Sequence, residues 1–312
     1  MKISRYLSAL VILAICLASC IRENIDDCDT PVEIDFLYFG NGIVDIFPQR
    51  IDSVLIFIYD MPSGKLDNTL KLSKTELEER QGTELRLEPG DYRIVCWGNA
   101  GDGSRIDPAE GNITSSEYAG GDIPSGIEEL YFGDADITVP RTLRPVKETI
   151  VYEASYIMMP VELLDFAHIG NPSIDEGSSI TALDNGVSDE FSVSLAHGNH
   201  PALIDFTNTV SEEVTDYVPE LAMHPDRNNS YLANYLVPRF DNDTEAQIRI
   251  VRNDTGETIF DRPLADLMEE LNIEIDDRNE QMVNLKLQAI VSGTQITIEV
   301  AGWNSEIVFP GI

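Results

Sequence analysis

Short runs of β-branched and aromatic residues, each closed by turn chemistry, recur from residue 32 to residue 300 and favour a layered β fold. Residues 32–39 (VEIDFLYF) end at Gly40-Asn41-Gly42, and residues 51–59 (IDSVLIFIY) end at Pro62-Ser63-Gly64. Glu84-Leu85-Arg86-Leu87 alternates polar with apolar, Pro89-Gly90-Asp91 turns, and residues 92–97 (YRIVCW) continue as a strand at hairpin distance. Helix signals are few. Ser73, with Glu76 three residues later, predicts a capping box opening a helix over 73–80. Residues 264–271 (LADLMEEL) read as a short amphipathic helix. Many strands with short helices in their connections predict a mainly β fold built as a β-sandwich.

The organisation is that of two domains. Residues 98–126 are rich in Gly, Asp and Ser without a period and read as a long surface loop. Strands resume at 129–132 and 137–139, and 149–164 reads as one or two strands interrupted at Pro160, which suits a sheet edge or a bulge. The loop-rich passage 168–186 places the boundary, giving an N-terminal domain over 31–168 and a C-terminal domain over 169–312. The second half repeats the grammar: 191–195, 202–206, 235–240, 247–252 (QIRIVR) and 257–260 are strand-like, and 282–291 pairs with 295–300 around Ser292-Gly293-Thr294. An echo between residues 94–99 (IVCWGN) and 299–304 (EVAGWN) suggests duplication.

The N-terminus places the chain outside the cytoplasm. Lys2 and Arg5 precede an apolar run over 7–18, too short for the ~20 residues a spanning helix needs but suited to a secretory signal. Leu17-Ala18-Ser19-Cys20 resembles the bacterial lipobox, with cleavage between Ser19 and Cys20 and lipidation of Cys20. One acyl chain binds membranes marginally, whereas two or more hold. A plain secretory signal is the alternative. Residues 1–19 are then the signal peptide and residues 20–30 a lipidated acidic tether. With 21 Lys and Arg against 55 Asp and Glu, the formal charge is −34, which excludes nucleic acid as a partner and repels anionic lipid head groups. Cys28 and Cys96 are the two thiols left in the folded body. In an exported chain they suggest a disulfide worth about 4 kcal/mol on the chain-entropy model, or else two buried thiols.

Catalytic signatures are missing: the chain has no G-x-S-x-G elbow, phosphate loop or H-E-x-x-H helix, and no enzyme activity or cofactor is expected. His197 and His200 form a close pair in a Gly/Asn/Pro context and lack a third zinc ligand nearby. Residues 241–245 (DNDTE) open like a calcium loop, but Ala246 stands where glycine is required, so a turn is expected and no metal site. Trp97 and Trp303 lie at the ends of apolar strands, where they either plug a core or offer a stacking face to sugars.

Taken together, these residues make the chain similar to the FimB/Mfa-type fimbrial anchor and accessory lipoproteins of Bacteroidales. The lipobox and residues 20–28 (CIRENIDDC) are the most specific part, resembling the family's acidic tether closed by a second cysteine. Residues 57–60 (FIYD), 87–98 (LEPGDYRIVCWG), 191–199, 204–207, 217–219 and 296–303 (ITIEVAGW) also resemble family segments. The resemblance implies two tandem transthyretin-like β-sandwich domains with short helices in the connections. It implies a lipid anchor in the bacterial outer membrane, with Glu23, Asp26, Asp27 and Asp29 matching the acidic patch associated with surface export. The implied partners are fimbrial stalk or accessory subunits, joined by strand complementation, a form of β-augmentation. Ile307, Val308, Phe309 and Ile312 are then the candidate partner-binding strand, with an ordinary final strand as the alternative. A tip or accessory role, or a glycan-binding surface lipoprotein, would share most of these features.

Overall fold

The computed structural model describes residues 29–40, 42–166, 191–227, 229–275, 281–292 and 295–307. Ser19, Cys20, Cys28, Val308, Phe309 and Ile312 lie outside them. The first half contributes β1 (Thr30–Leu37), β2 (Val54–Asp60), β3 (Lys65–Leu72), β4 (Gly82–Leu87), β5 (Gly90–Gly98), β6 (Ser104–Asp107), β7 (Asn112–Ser115), β8 (Tyr131–Val139), β9 (Val146–Val151) and β10 (Glu153–Ala154). Its helices are α1 (Phe47–Arg50), α2 (Lys74–Glu79) and α3 (Ser116–Gly120). The sheet β4-β1-β9 faces the sheet β10-β8-β5-β2-β3, and Val32, Ile34, Phe36, Ile56, Ile58, Ile94 and Ile150 fill the space between them. Strand β1 lies in the middle of its sheet, antiparallel to β4 and parallel to β9. Its alternation sends Val32, Ile34 and Phe36 inward, as a half-buried strand requires. The capping box of α2 is formed, with the Ser73 N–H donating to Glu76 Oε2 at 2.8 Å.

The second sandwich is built from β11 (Tyr156–Leu164), β12 (Phe191–Pro201), β14 (Val214–Tyr217), β15 (Leu221–Met223), β16 (Tyr231–Pro238), β17 (Gln247–Arg252), β18 (Thr258–Pro263), β19 (Gln281–Ser292) and β20 (Gln295–Ile307). The sheet β15-β16-β11-β19-β20 packs on β14-β12-β17-β18. Helix α4 (Leu264–Leu271), at the expected position, adds Leu264, Leu267 and Met268 to this core. Duplication is visible in topology. In each half the first strand has one antiparallel and one parallel neighbour: β1 with β4 and β9, β11 with β16 and β19. The tryptophan echo does not follow it, because β5 lies inside its sheet between β2 and β8 while β20 is the last strand of its own.

Three features depart from expectation. Residues 98–126 are not a loop: they hold the β6–β7 hairpin and α3, and β7 pairs with β13 (Leu203–Asp205) from the second half. Pro160 neither breaks β11 nor marks an edge, since β11 runs through it, opposite Asn234, in the interior of the second sheet. Strand β11, placed by sequence in the first domain, is built into the second sandwich, whose core begins at Ile157. The passage 168–186, by which the boundary is placed from sequence, lies outside the described residues, and the second core already begins in the strand before it.

A third apolar cluster joins the halves. In β5, Ile94 and Cys96 point into the first core, while Val95 and Trp97 point out of the opposite face. There they meet Phe57 of β2, Phe132 of β8, Ile113 of β7, Ile204 of β13 and Phe206. The unbroken apolar run over residues 94–97 (IVCW) therefore reflects a strand covered on both faces.

Candidate functional site

Three places on this frame bear on the role expected from sequence: the pole where the described chain enters, the outer edge of β20, and the seam between the halves. At the pole, Thr30 is fully buried, with Oγ1 2.8 Å from the Pro140 carbonyl oxygen and 2.9 Å from that of Thr142. Any tether preceding it feeds directly into β1, which is hydrogen-bonded along both sides.

Strand β20 pairs antiparallel with β19 from Gln281↔Ile307 to Ser292↔Gln295, with one register shift between Lys286 and Leu287. Ile298 and Val300 lean on the second core, while Thr297 is exposed. At 13 residues it is a long edge strand, and among the described residues no strand covers its other side. Such an edge presents unpaired N–H and C=O groups to another chain. β20 also has no counterpart in the first sandwich: β10, which follows β9, crosses to the other sheet, whereas β20, which follows β19, stays in the same one. Ile307 is the last residue of this ladder, so the candidate partner-binding segment begins inside an intramolecular strand and continues into residues outside the description.

The seam is polar as well as apolar. The Thr114 hydroxyl donates to the Ala202 carbonyl at 2.5 Å, the Arg93 guanidinium donates to the Phe206 carbonyl at 3.2 Å, and the Ile127 N–H donates to the Leu236 carbonyl at 2.7 Å. Ile127 touches all three apolar clusters.

Among the described residues no group of His, Cys, Asp and Glu is arranged to hold a metal ion. Asp241 and Asn242 serve a turn instead. Asp241 Oδ1 accepts the Asp243 N–H at 3.0 Å, and Asn242 bridges the Ile273 carbonyl and the Ile275 N–H. His197 and His200 lie in β12, which extends to Pro201, beyond the expected end at 195. Trp97 is buried, 5.2 Å from Phe132 and 6.1 Å from Phe206 by ring centroids, so it seals the seam and offers no face to a sugar.

The expected Cys28–Cys96 disulfide is not made. Cys96 is a free, fully buried thiol in the middle of β5, its pKa pushed up to about 12 by burial, with Tyr152 beside it. Thr30 enters beside Leu87, at the hairpin end of β5, and Cys96 lies six residues along that strand, about 20 Å away. Two residues of extended chain reach only about 7 Å.

Sequence reading missed Glu162, whose side chain is 8 % exposed on the outward face of β11. Asn284 Nδ2 lies 3.0 Å and Lys286 Nζ 3.1 Å from its Oε1, with His224 Nε2 at 3.7 Å and Arg227 Nε at 4.0 Å from Oε2. The signal was a lone carboxylate in the apolar stretch 161–164 (VELL).

Residues 25–309 match the family described as fimbrillin-A associated anchor proteins Mfa1 and Mfa2. The chain belongs to this family. It is thereby a fimbria-associated protein of the cell envelope, of a structural class. The fimbrial anchor protein Mfa2 from Porphyromonas gingivalis has a TM-score of 0.63 to it at 14% identity, covering 90% of this chain and 98% of that one. A protein described as a candidate adhesin from Bacteroides thetaiotaomicron gives 0.59 at 17% identity, with 90% and 99% covered. Another so described, from Bacteroides ovatus, gives 0.60 at 14% identity, with 88% and 97% covered. At these identities the likeness is one of fold. No curated protein matches the sequence. Among the described residues no helix is long and apolar enough to cross a membrane.

Proposed function

We propose that the chain is a lipid-anchored outer-membrane protein that holds or terminates a fimbrium at the cell surface. Cys20, freed by cleavage after Ser19, is the lipidated residue, and fimbrial stalk or accessory subunits are the partners. The observation that carries the reading is the outer edge of β20, a 13-residue strand that has a single neighbour among the described residues. A partner strand added there, or the chain's own segment Ile307, Val308, Phe309 and Ile312 donated to a partner, would give main-chain pairing for affinity and side-chain alternation for register. The two routes separate on truncation. A chain ending at Ile307 keeps the whole β19–β20 ladder. Loss of subunit binding with an intact fold assigns donation to residues 308–312, and retained binding assigns the partner to the β20 edge.

The deciding experiment is gene deletion in the native host beside a Cys20→Ala strain, with immunoblots of fimbrial subunit in washed cells and in cell-free medium. Anchoring through the lipid moves polymer from cells to medium in both strains. Polymer unchanged in both rejects the reading.

A further inference from the structure

A cleft of about 390 Å3 opens at the seam, between the β2–β3 turn, the β6–β7 turn and the residues after β13. Its size falls in the range of small-ligand sites. Tyr59, Val95 and Phe206 make an apolar floor, with the Tyr59 hydroxyl donating to the Pro108 carbonyl at 2.8 Å. Asp60, Glu110 and Asp205 stand around it. Arg93, the one cation in the lining, is paired with Asp134 at 2.8 Å.

Uncommitted hydrogen-bonding capacity in the acidic lining is all of one kind. Asp60 Oδ2 is occupied by Ser63, and Asp205 Oδ1 by Thr207 and Thr209. The second oxygen of each, and the Glu110 carboxylate, have no hydrogen bond or ion pair among the described residues. Three carboxylates with open oxygens around an apolar floor, in a chain of formal charge −34, call for a ligand that is donor-rich, cationic and apolar-stemmed. A neutral sugar would bring as many acceptors as donors, and an anion would be repelled.

We propose that this cleft is a docking site for a basic side chain, lysine or arginine, presented by a partner protein. Its methylenes lie along Tyr59 and Phe206, and its cationic head sits among Asp60, Glu110 and Asp205, the division that long basic side chains adopt at apolar surfaces. Burial, and after it the charge of Asp107, push the Tyr59 hydroxyl pKa up to about 12, so Tyr59 stays neutral under the proposed cation. Because Asp205 ends β13 of the second half and Phe206 follows it, the site exists only while the seam is closed. The proposal goes beyond anchoring and stands independently of it.

The test uses the full mature chain carrying Cys20→Ala, titrated with end-blocked Ala-Lys-Ala and Ala-Arg-Ala while the amide resonances of Gly111 and Thr207 are followed. Saturable shifts are expected with both peptides, and none with Ala-norleucine-Ala. Glu110→Gln, at an exposed position, should weaken binding at least fivefold, while Glu257→Gln, exposed and remote, should leave it unchanged. Equal weakening by both variants would mean diffuse charge attraction and overturn the site. So would saturation of the same amides by maltose or the norleucine peptide, or the absence of any shift.

Discussion

Glu162 shows at the residue scale how a buried charge is held. Burial raises the pKa of its carboxyl, but hydrogen bonds from Asn284 and Lys286 and the charges of Lys286 and Arg227 outweigh it, and the net shift is downward. A carboxyl with a depressed folded pKa contributes stability that is present above the unfolded value, about 4.3, and is lost as pH falls through the folded one. Glu162→Ala strands Lys286 against β11 and is expected to cost about 3 kcal/mol at neutral pH. Urea midpoints at pH 7 and pH 3.5 check this, and the gap between wild type and variant should narrow at the lower pH. A gap independent of pH would mean that the loss is packing alone. Cys96 yields a second expectation. With its pKa near 12 and no exposure, it stays a thiol and out of reach in the native state. Maleimide should label it only after unfolding, and without prior reduction. Mass spectrometry of the labelled chain reads the outcome, and a need for reductant would revive the disulfide.

Among the elements, the β6–β7 hairpin depends most on a single residue. Glu128 accepts the Gly101 N–H at 2.7 Å, the Gly103 N–H at 3.4 Å and the Ser104 hydroxyl at 2.5 Å, so one carboxylate pins the whole entry to β6. Both glycines are needed for that approach: a Cβ on Gly101 would lie 2.7 Å from Glu128 Oε1, and one on Gly103 3.0 Å from Cγ. Glu128→Ala is expected to cost about 2 kcal/mol, in the range for hydrogen bonds to a charged group. Hydrogen exchange should quicken over residues 104–115 and stay unchanged in β17. This hairpin is also where sequence reading failed, for a physical reason. β6 and β7 are four residues each and β13 three, too short to show a period, and the pairing of Ile113 with Ile204 spans the two halves of the chain. Local signals were sufficient where local physics decides: the Ser73–Glu76 cap, the amphipathic Leu264–Leu271 helix and the alternation in residues 247–252 all form as read. Pro160 misled because its missing N–H was weighed without the neighbouring strands that hold β11 in place. The run YRIVCW was read correctly as a strand, yet the lack of alternation over its residues 94–97 was the trace of the seam, since a strand covered on both faces is apolar on both.

The seam decides how the whole molecule answers a pull. Domains joined by a short link move independently unless their interface is large and apolar. Here the link is itself fixed, the Ser155 N–H donating to the Leu130 carbonyl at 2.8 Å and the Arg239 N–H to the Ser155 carbonyl at 3.2 Å. Beside it lie the third apolar cluster and the sheet β13-β7-β6, which takes strands from both halves. In the proposed role, force entering at Thr30 passes through β1 and its neighbours, crosses this seam, and reaches β20 in the second sandwich. Two hinged bodies would align with the load, whereas a sealed pair shares it across both cores. The structure therefore predicts one cooperative thermal transition for the wild-type chain. Ile204 belongs to the seam and to neither sandwich core, so Ile204→Asp introduces an unpaired buried charge there while leaving both sandwiches their own residues. Calorimetry of that variant should resolve two transitions in place of one, and the cleft around Tyr59 should lose its basic-peptide binding with them. A variant that still melts as one unit at a lower temperature would show that the sandwiches are coupled elsewhere, through Ile127 and the Leu236 carbonyl.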